Sequence, residues 1–181
     1  MLILHYEYLQ FFSVIVNPSG STIRFTGPWG DWADRYSTCP DGGYAIQFRL
    51  KVHKKRGSRD YTGLNGICLQ CSNGGEVCST IGHIGQWATS QNCFDGFNGA
   101  NFKIQPKQSW RRDHSSANNL MLVCNSGGNY YTNNGGNRGS WVGIRHCPAG
   151  QVICGIKTKV QPSQGRRDDT ALNGVDLQCC Y

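Results

Sequence analysis

The chain has 181 residues, of which 16% are charged and 24 are glycine. That length suits one domain, or three small units sharing a core, and no stretch is long and apolar enough to span a bilayer as a helix. Ten cysteines and a formal charge of +7 point to a disulfide-stapled secreted chain with anionic partners, such as acidic glycans or a membrane surface, rather than to a nucleic-acid binder.

The chain opens on Met1-Leu2-Ile3-Leu4, but His5, Tyr6 and Glu7 interrupt the apolar run. No basic region or small-residue cleavage site accompanies it, so residues 1–11 read as an extension and not as a secretory leader. Phe11 to Val16 is aromatic and β-branched and predicts a strand; Asn17-Pro18-Ser19-Gly20 predicts a turn, and its proline blocks Asn17 as a glycosylation acceptor. A short strand at Ile23-Arg24-Phe25 leads through Gly30-Asp31-Trp32 to Cys39. The clearest period-2 run follows. Tyr44, Ile46, Phe48, Leu50 and Val52 face one way and Gln47, Arg49 and Lys51 the other, as in a half-buried strand. A second such run has Ala100, Phe102 and Ile104 inward. A third has Val152, Cys154, Ile156 and Val160 inward.

These runs belong to a repeat. Gly165-Arg166-Arg167-Asp168-Asp169-Thr170-Ala171-Leu172-Asn173-Gly174 has earlier counterparts from Gly57 to Gly66 and from Trp110 to Asn119. Asp60, Asp113 and Asp168 are separated by 53 and 55 positions, and Asn65, Asn118 and Asn173 each follow five positions later. Gly30-Asp31-Trp32, Gly85-Gln86-Trp87 and Gly139-Ser140-Trp141 recur in step, each running into a cysteine: Cys39, Cys93 or Cys147. One structural unit is therefore used three times, at about 12–71, 72–124 and 125–181. A small sheet with one apolar face cannot bury it alone, but three can do so around a common axis. The expected fold is all-β: a prism of three antiparallel four-stranded sheets with pseudo-threefold symmetry, in a single domain.

Each of Cys39, Cys93 and Cys147 has a cysteine 31 or 32 positions on, which favours disulfides in every unit. The competing reading is zinc, because Cys68, Cys71, Cys78 and His83 have a faintly ligand-like spacing.

The Gly-x-Trp, Cys-Pro-x-Gly and Arg-Asp-Asp-Thr-Ala-Leu-Asn-Gly elements, with the closing Cys179-Cys180, resemble the vitelline membrane outer layer protein family from about Phe12 to Tyr181. The resemblance implies a β-prism, an extracellular location in an egg-envelope type of coat, and an associated chito-oligosaccharide transferase activity. The chain departs from the family pattern at Asp60-Tyr61 and Asp113-His114, where the family has Asp-Asp, and in the added pair Cys68 and Cys78. The expected pairing is Cys39–Cys71, Cys93–Cys124 and Cys147–Cys179, with Cys154–Cys180 and Cys68–Cys78 using the rest. Cys179 and Cys180 point to opposite faces of a strand, so their partners could be exchanged.

No catalytic constellation is visible. Glycosyl transfer normally needs two carboxylates across one bond. The only glutamates are Glu7 and Glu76, and Asp31, Asp34, Asp41, Asp95 and Asp176 show no pairing. Asp60, Asp113, Asp168 and the asparagines Asn65, Asn118 and Asn173 read as a structural repeat motif, because such side chains hydrogen-bond their own loop backbone. Trp32, Trp87 and Trp141 recur by symmetry and read as core residues. Trp110 lies in a polar loop and, with Lys54, Lys55 and Arg56, forms the candidate carbohydrate site, which anionic glycans or glycoproteins would suit. No metal or cofactor is implied. The leading function is a structural component of an extracellular coat; the alternatives are a lectin-like module and a chito-oligosaccharide transglycosylase.

Overall fold

The computed structural model describes residues 20–54, 62–106, 116–162 and 171–181. Among these residues there are fourteen strands and no helix. The first sheet is built on the long hairpin β4 (Ala45–His53) and β5 (Gly63–Cys71), flanked by β6 (Glu76–Cys78) and β7 (Gln86–Thr89) in the order β6-β5-β4-β7. In the second, β8 (Phe97–Ile104) and β9 (Ala117–Cys124) carry β10 (Asn129–Tyr130) outside β9, and β11 (Ser140–Trp141) and β12 (Arg145–His146) outside β8. In the third, β13 (Val152–Val160) and β14 (Leu172–Cys180) carry β1 (Thr22–Thr26) outside β14, and β2 (Asp31–Trp32) and β3 (Ser37–Thr38) outside β13. Every pairing is antiparallel. The four-stranded plan thus holds, with the flanking strand split in two in the second and third sheets.

The three inner faces share one core. It takes Phe48, Leu50, Ile67 and Leu69 from the first sheet and Phe97, Phe102, Leu120 and Leu122 from the second. Ile23, Phe25, Ile156, Val175 and Leu177 come from the third. Aromatic rings bridge the walls: Phe25 stacks on Phe102 at 5.8 Å, and Phe48 meets Phe97 edge-on at 5.8 Å. This closed arrangement is a β-prism.

Two bulges recur in each hairpin and correct the simple alternation. The first falls between Ala45 and Gln47, between Phe97 and Gly99, and between Ile153 and Gly155. An extra residue in one strand reverses which side chains face inward. Ala45 and Ile153 therefore enter the core, while Ile46 and Cys154, read as inward from the sequence, do not belong to it. The bulged residue has a carbonyl outside the ladder, and each captures the amide of a repeat cysteine. Cys93 donates to Ile46 at 2.7 Å, Cys147 to Asn98 at 2.8 Å and Cys39 to Cys154 at 2.8 Å.

These captures determine what the disulfides join. Cys39 is held on the third sheet and bonds Cys71 of the first; Cys93 is held on the first and bonds Cys124 of the second; Cys147 is held on the second and bonds Cys179 of the third. The three staples form a covalent ring around one end of the prism. Cys154–Cys180 and Cys68–Cys78 instead lie within single sheets.

The Gly-x-Trp element also finds its cause. Gly30, Gly85 and Gly139 have φ of +80°, +117° and +77°, and a Cβ there would lie 2.3–2.9 Å from the backbone of Val160, Val52 or Ile104. Both the left-handed backbone and the close approach require glycine. The tryptophans that follow sit on the outer faces of the sheets and not in the core, correcting the symmetry-based expectation. Arg24 lies over Trp32 at 5.0 Å, Arg49 over Trp87 at 4.5 Å and Lys103 near Trp141 at 5.9 Å.

Candidate functional site at the hairpin end

The second bulge of each hairpin explains the repeated asparagine. The ladder skips Asn65, Asn118 and Asn173, each buried. Each side-chain amide donates to the carbonyl two residues earlier: Asn65 to Gly63, Asn118 to Ser116 and Asn173 to Ala171, at 3.1–3.2 Å. Each backbone carbonyl, displaced from the ladder, accepts from a loop glycine: Gly82, Gly136 or Gly27, at 2.5–2.7 Å. Lysines one turn of the ladder away complete the clamp. Lys51 donates to Gly82 at 2.8 Å, Lys103 to Asn137 at 3.0 Å and Lys159 to Gly27 at 3.1 Å, each through Nζ to a carbonyl. The repeat is thus a device for tying a loop over the hairpin.

All three hairpin ends meet at one end of the prism. A Cβ on Gly27 would touch Ser116 Oγ, Asn173 O and Ile104 Cδ1, joining the second and third hairpins. His53, Thr62, Val160 and Leu172 line one recess, joining the first and third.

Two recesses flank His53 there. The larger, about 730 Å³, lies between the end of β4 (Val52–Lys54), the start of β7 (Gln86–Ala88) and Asn133-Asn134. Lys54, Gln86 and Asn133 are exposed on it, whereas Asn134 is buried and committed. Its amide donates to Leu50 O at 2.9 Å and Gln86 O at 2.8 Å, bridging the first and second sheets. The smaller recess, about 260 Å³, is lined by His53, Thr62, Thr80–His83 and the end of β13. Thr62 Oγ1 lies 3.3 Å from His53 Nδ1 and accepts from Asn65 at 2.7 Å. Among the described residues neither recess is lined by a carboxylate. The chemistry on offer is hydrogen bonding, with Lys54 on the rim of the larger recess.

Of the residues chosen from sequence, Lys54 stands on the larger recess. Lys55, Arg56 and Trp110 lie outside the described residues, as do Asp60, Asp113 and Asp168. Cys68, Glu76 and Cys78 cluster closely, but Cys68 and Cys78 are bonded to each other and Cys71 to Cys39, so the zinc reading is set aside.

Asp176, unpaired in the sequence reading, is fully buried on β14. Its Oδ2 accepts from Arg24 Nη2 at 2.6 Å, from Arg24 Nε at 2.9 Å and from Tyr36 Oη at 2.6 Å. Burial first, and then the bond to Asp176, pushes the Tyr36 hydroxyl up to about 12. Sequence could not pair these residues, because Arg24 and Asp176 are 152 positions apart.

The family model described as Vitelline membrane outer layer protein I (VOMI) matches residues 21–181. The chain belongs to the vitelline membrane outer layer protein I family. It is 37% identical over 164 residues to the Homo sapiens vitelline membrane outer layer protein 1 homolog, covering 85% of this chain and 79% of that one. The Mus musculus homolog is 36% identical over 169 residues with the same coverage. Among solved structures, the mannose-binding lectin from Champedak superposes with TM-score 0.55 at 11% identity, over 90% of this chain and 97% of the lectin. A mannose-specific jacalin-related lectin from Morus nigra gives 0.54 at 10%, over 92% and 97%. At such identities the likeness is one of fold, and it is the three-sheet prism.

Proposed function

We propose that the protein is a secreted structural component of an extracellular coat of the egg-envelope type. The family match over residues 21–181 carries this reading. The structure supports it physically: five disulfides and a closed prism suit a rigid, protease-resistant part in an oxidising compartment. Fractionation of the secreting tissue tests the reading. The protein is expected in the insoluble fibrous layer, released only by denaturant; recovery solely from soluble fluid would overturn it.

A second reading, glycan binding, is favoured by the Lys54-lined recess and by a fold that sugar-binding lectins also use. Lys55, Arg56 and Trp110 extend this candidate site in sequence, and a negatively charged glycan suits its basic rim. Saturable glycan-array binding that Lys54→Ser weakens supports it, whereas a blank array from folded protein removes it. A chito-oligosaccharide transferase has the least support, because no carboxylate lines either recess among the described residues.

A further inference from the structure

The three walls of the prism are not chemically equivalent. Between Asp95 and Asp168 the sole acidic residue is Asp113, so all strands of the second sheet, β8 to β12, are free of Asp and Glu. The first sheet carries Glu76 and the third Asp31 and Asp176. Lys103, Arg138 and Arg145 belong to the second wall. Lys103 has a carbonyl and the Trp141 ring as partners. Arg145 has the Arg24 carbonyl and the Phe25 ring. Among the described residues neither Lys103 nor Arg145 pairs with a carboxylate.

The same wall has an apolar edge. Residues 139–146 are all exposed. Trp141, Val142 and Ile144 are 37%, 46% and 47% exposed, and Tyr131, also 47%, packs edge-on against Trp141 at 6.0 Å. At the matching positions of the first wall stand Ala88 and Ser90, and Ser90 turns inward to accept from the Phe48 amide. Ile81 and Ile84, 44% and 38% exposed, lie between β6 and β7 of the first wall, close after Glu76; the second wall differs in joining exposed aliphatic side chains to cations in strands that hold no acidic residue.

We infer that the β11–β12 edge of the second wall is a docking surface for an anionic lipid interface. Aromatic rings, aliphatic side chains and cations are the combination that binds at a charged bilayer surface. Val142 and Ile144 distinguish this occupant from a sulfated glycan. They offer such a glycan neither a hydrogen bond nor a stacking face, but gain free energy on entering hydrocarbon. The inference goes beyond the coat reading, and it has its own readout.

Cosedimentation with vesicles tests it, using phosphatidylcholine alone and phosphatidylcholine containing phosphatidylglycerol. The disulfide-intact protein is expected to partition onto the phosphatidylglycerol vesicles, with weakening but not abolition at raised salt. Val142→Ser/Ile144→Ser is expected to weaken partitioning at least about tenfold, and Ile144→Glu to do so with one added charge. Both positions are exposed, and near-UV circular dichroism confirms that the variants are folded. Failure to bind the anionic vesicles, or equal binding by wild type and double variant, overturns the inference. So does binding to dextran sulfate, equal in wild type and variant, with no vesicle binding. Loss of the vesicle result leaves matrix retention, the test of the coat reading, unaffected.

Discussion

Arg24 reaches from β1 to Asp176 on β14 and donates twice to one carboxylate oxygen, joining the two ends of the chain within one sheet. The pair is lopsided: the Arg24 side chain is 51% exposed and that of Asp176 is 0% exposed. Asp176 occupies the strand position that Cys68 holds in the first sheet, where it bonds Cys78, and that Met121 holds in the second. One site of the pseudo-threefold is thus filled by a covalent, an apolar and an ionic solution.

That asymmetry gives unequal mutants. Arg24→Ala leaves a carboxylate buried without its cation and is expected to cost about 3 kcal/mol. Asp176→Met copies the second sheet and leaves a guanidinium able to turn to water, so its cost is expected to stay within about 1 kcal/mol. Urea unfolding of the two variants checks the order. Equal losses would show that the pair acts as a unit and not as a buried anion with a surface partner.

Tyr36 reports the same cluster through pH. Its folded pKa, about 12, lies above the 10.0 of an ordinary tyrosine. The folded state therefore holds the phenol proton more tightly than the unfolded chain does. Stability from this group is complete below pH 10 and is lost as pH rises from there through 12. Tyr36→Phe is expected to flatten this part of the alkaline decline in Tm, while costing some stability at neutral pH through the lost bond to Asp176. A wild-type and a variant Tm that fall in parallel over this range would remove Tyr36 as the cause.

The ring staples and the local staples should differ in worth. Cys147–Cys179 closes 32 positions and joins two walls, whereas Cys68–Cys78 closes 10 within one sheet. In the chain-entropy model their removal as paired Cys→Ala variants costs about 3.7 and about 2.7 kcal/mol. Calorimetric melting of the two double variants gives the comparison, and a larger loss at Cys68–Cys78 would contradict it.

Asn118 and Asn173 test the bulge clamp. Each is 0% exposed, and each side chain is tied to a carbonyl two residues back. Substitution by alanine is expected to cost about 1–3 kcal/mol, because a buried carbonyl loses its donor. Hydrogen exchange should locate the loosening at the amides of Gly136 and Gly27, which donate to these asparagines' own carbonyls. Unchanged protection there would mean that the backbone bulge holds without the side chain.

The amino-acid sequence by itself determined the repeat, the all-β class, the family, and the spacing that makes each repeat cysteine and its partner available to one another. These depend on local periodicity and on residues recurring in step. It also marked the glycines before the tryptophans and the three asparagines as special, without showing why. Only the tertiary structure decided which sheet each strand joins. The strand bearing Trp87 pairs with the hairpin of the unit before it, and β2, bearing Trp32, pairs with β13 near the other end of the chain. Consequently the staples link walls that period-2 reasoning treats as separate. Bulges at Ile46, Asn98 and Cys154 break the alternation through backbone geometry that no single side chain announces. Asp176, a lone acid in a strand, became a buried partner only because closure of the prism brought β1 against β14. Short-range pattern encodes which elements form, whereas the burial and charge of a particular side chain depend on neighbours more than a hundred positions away.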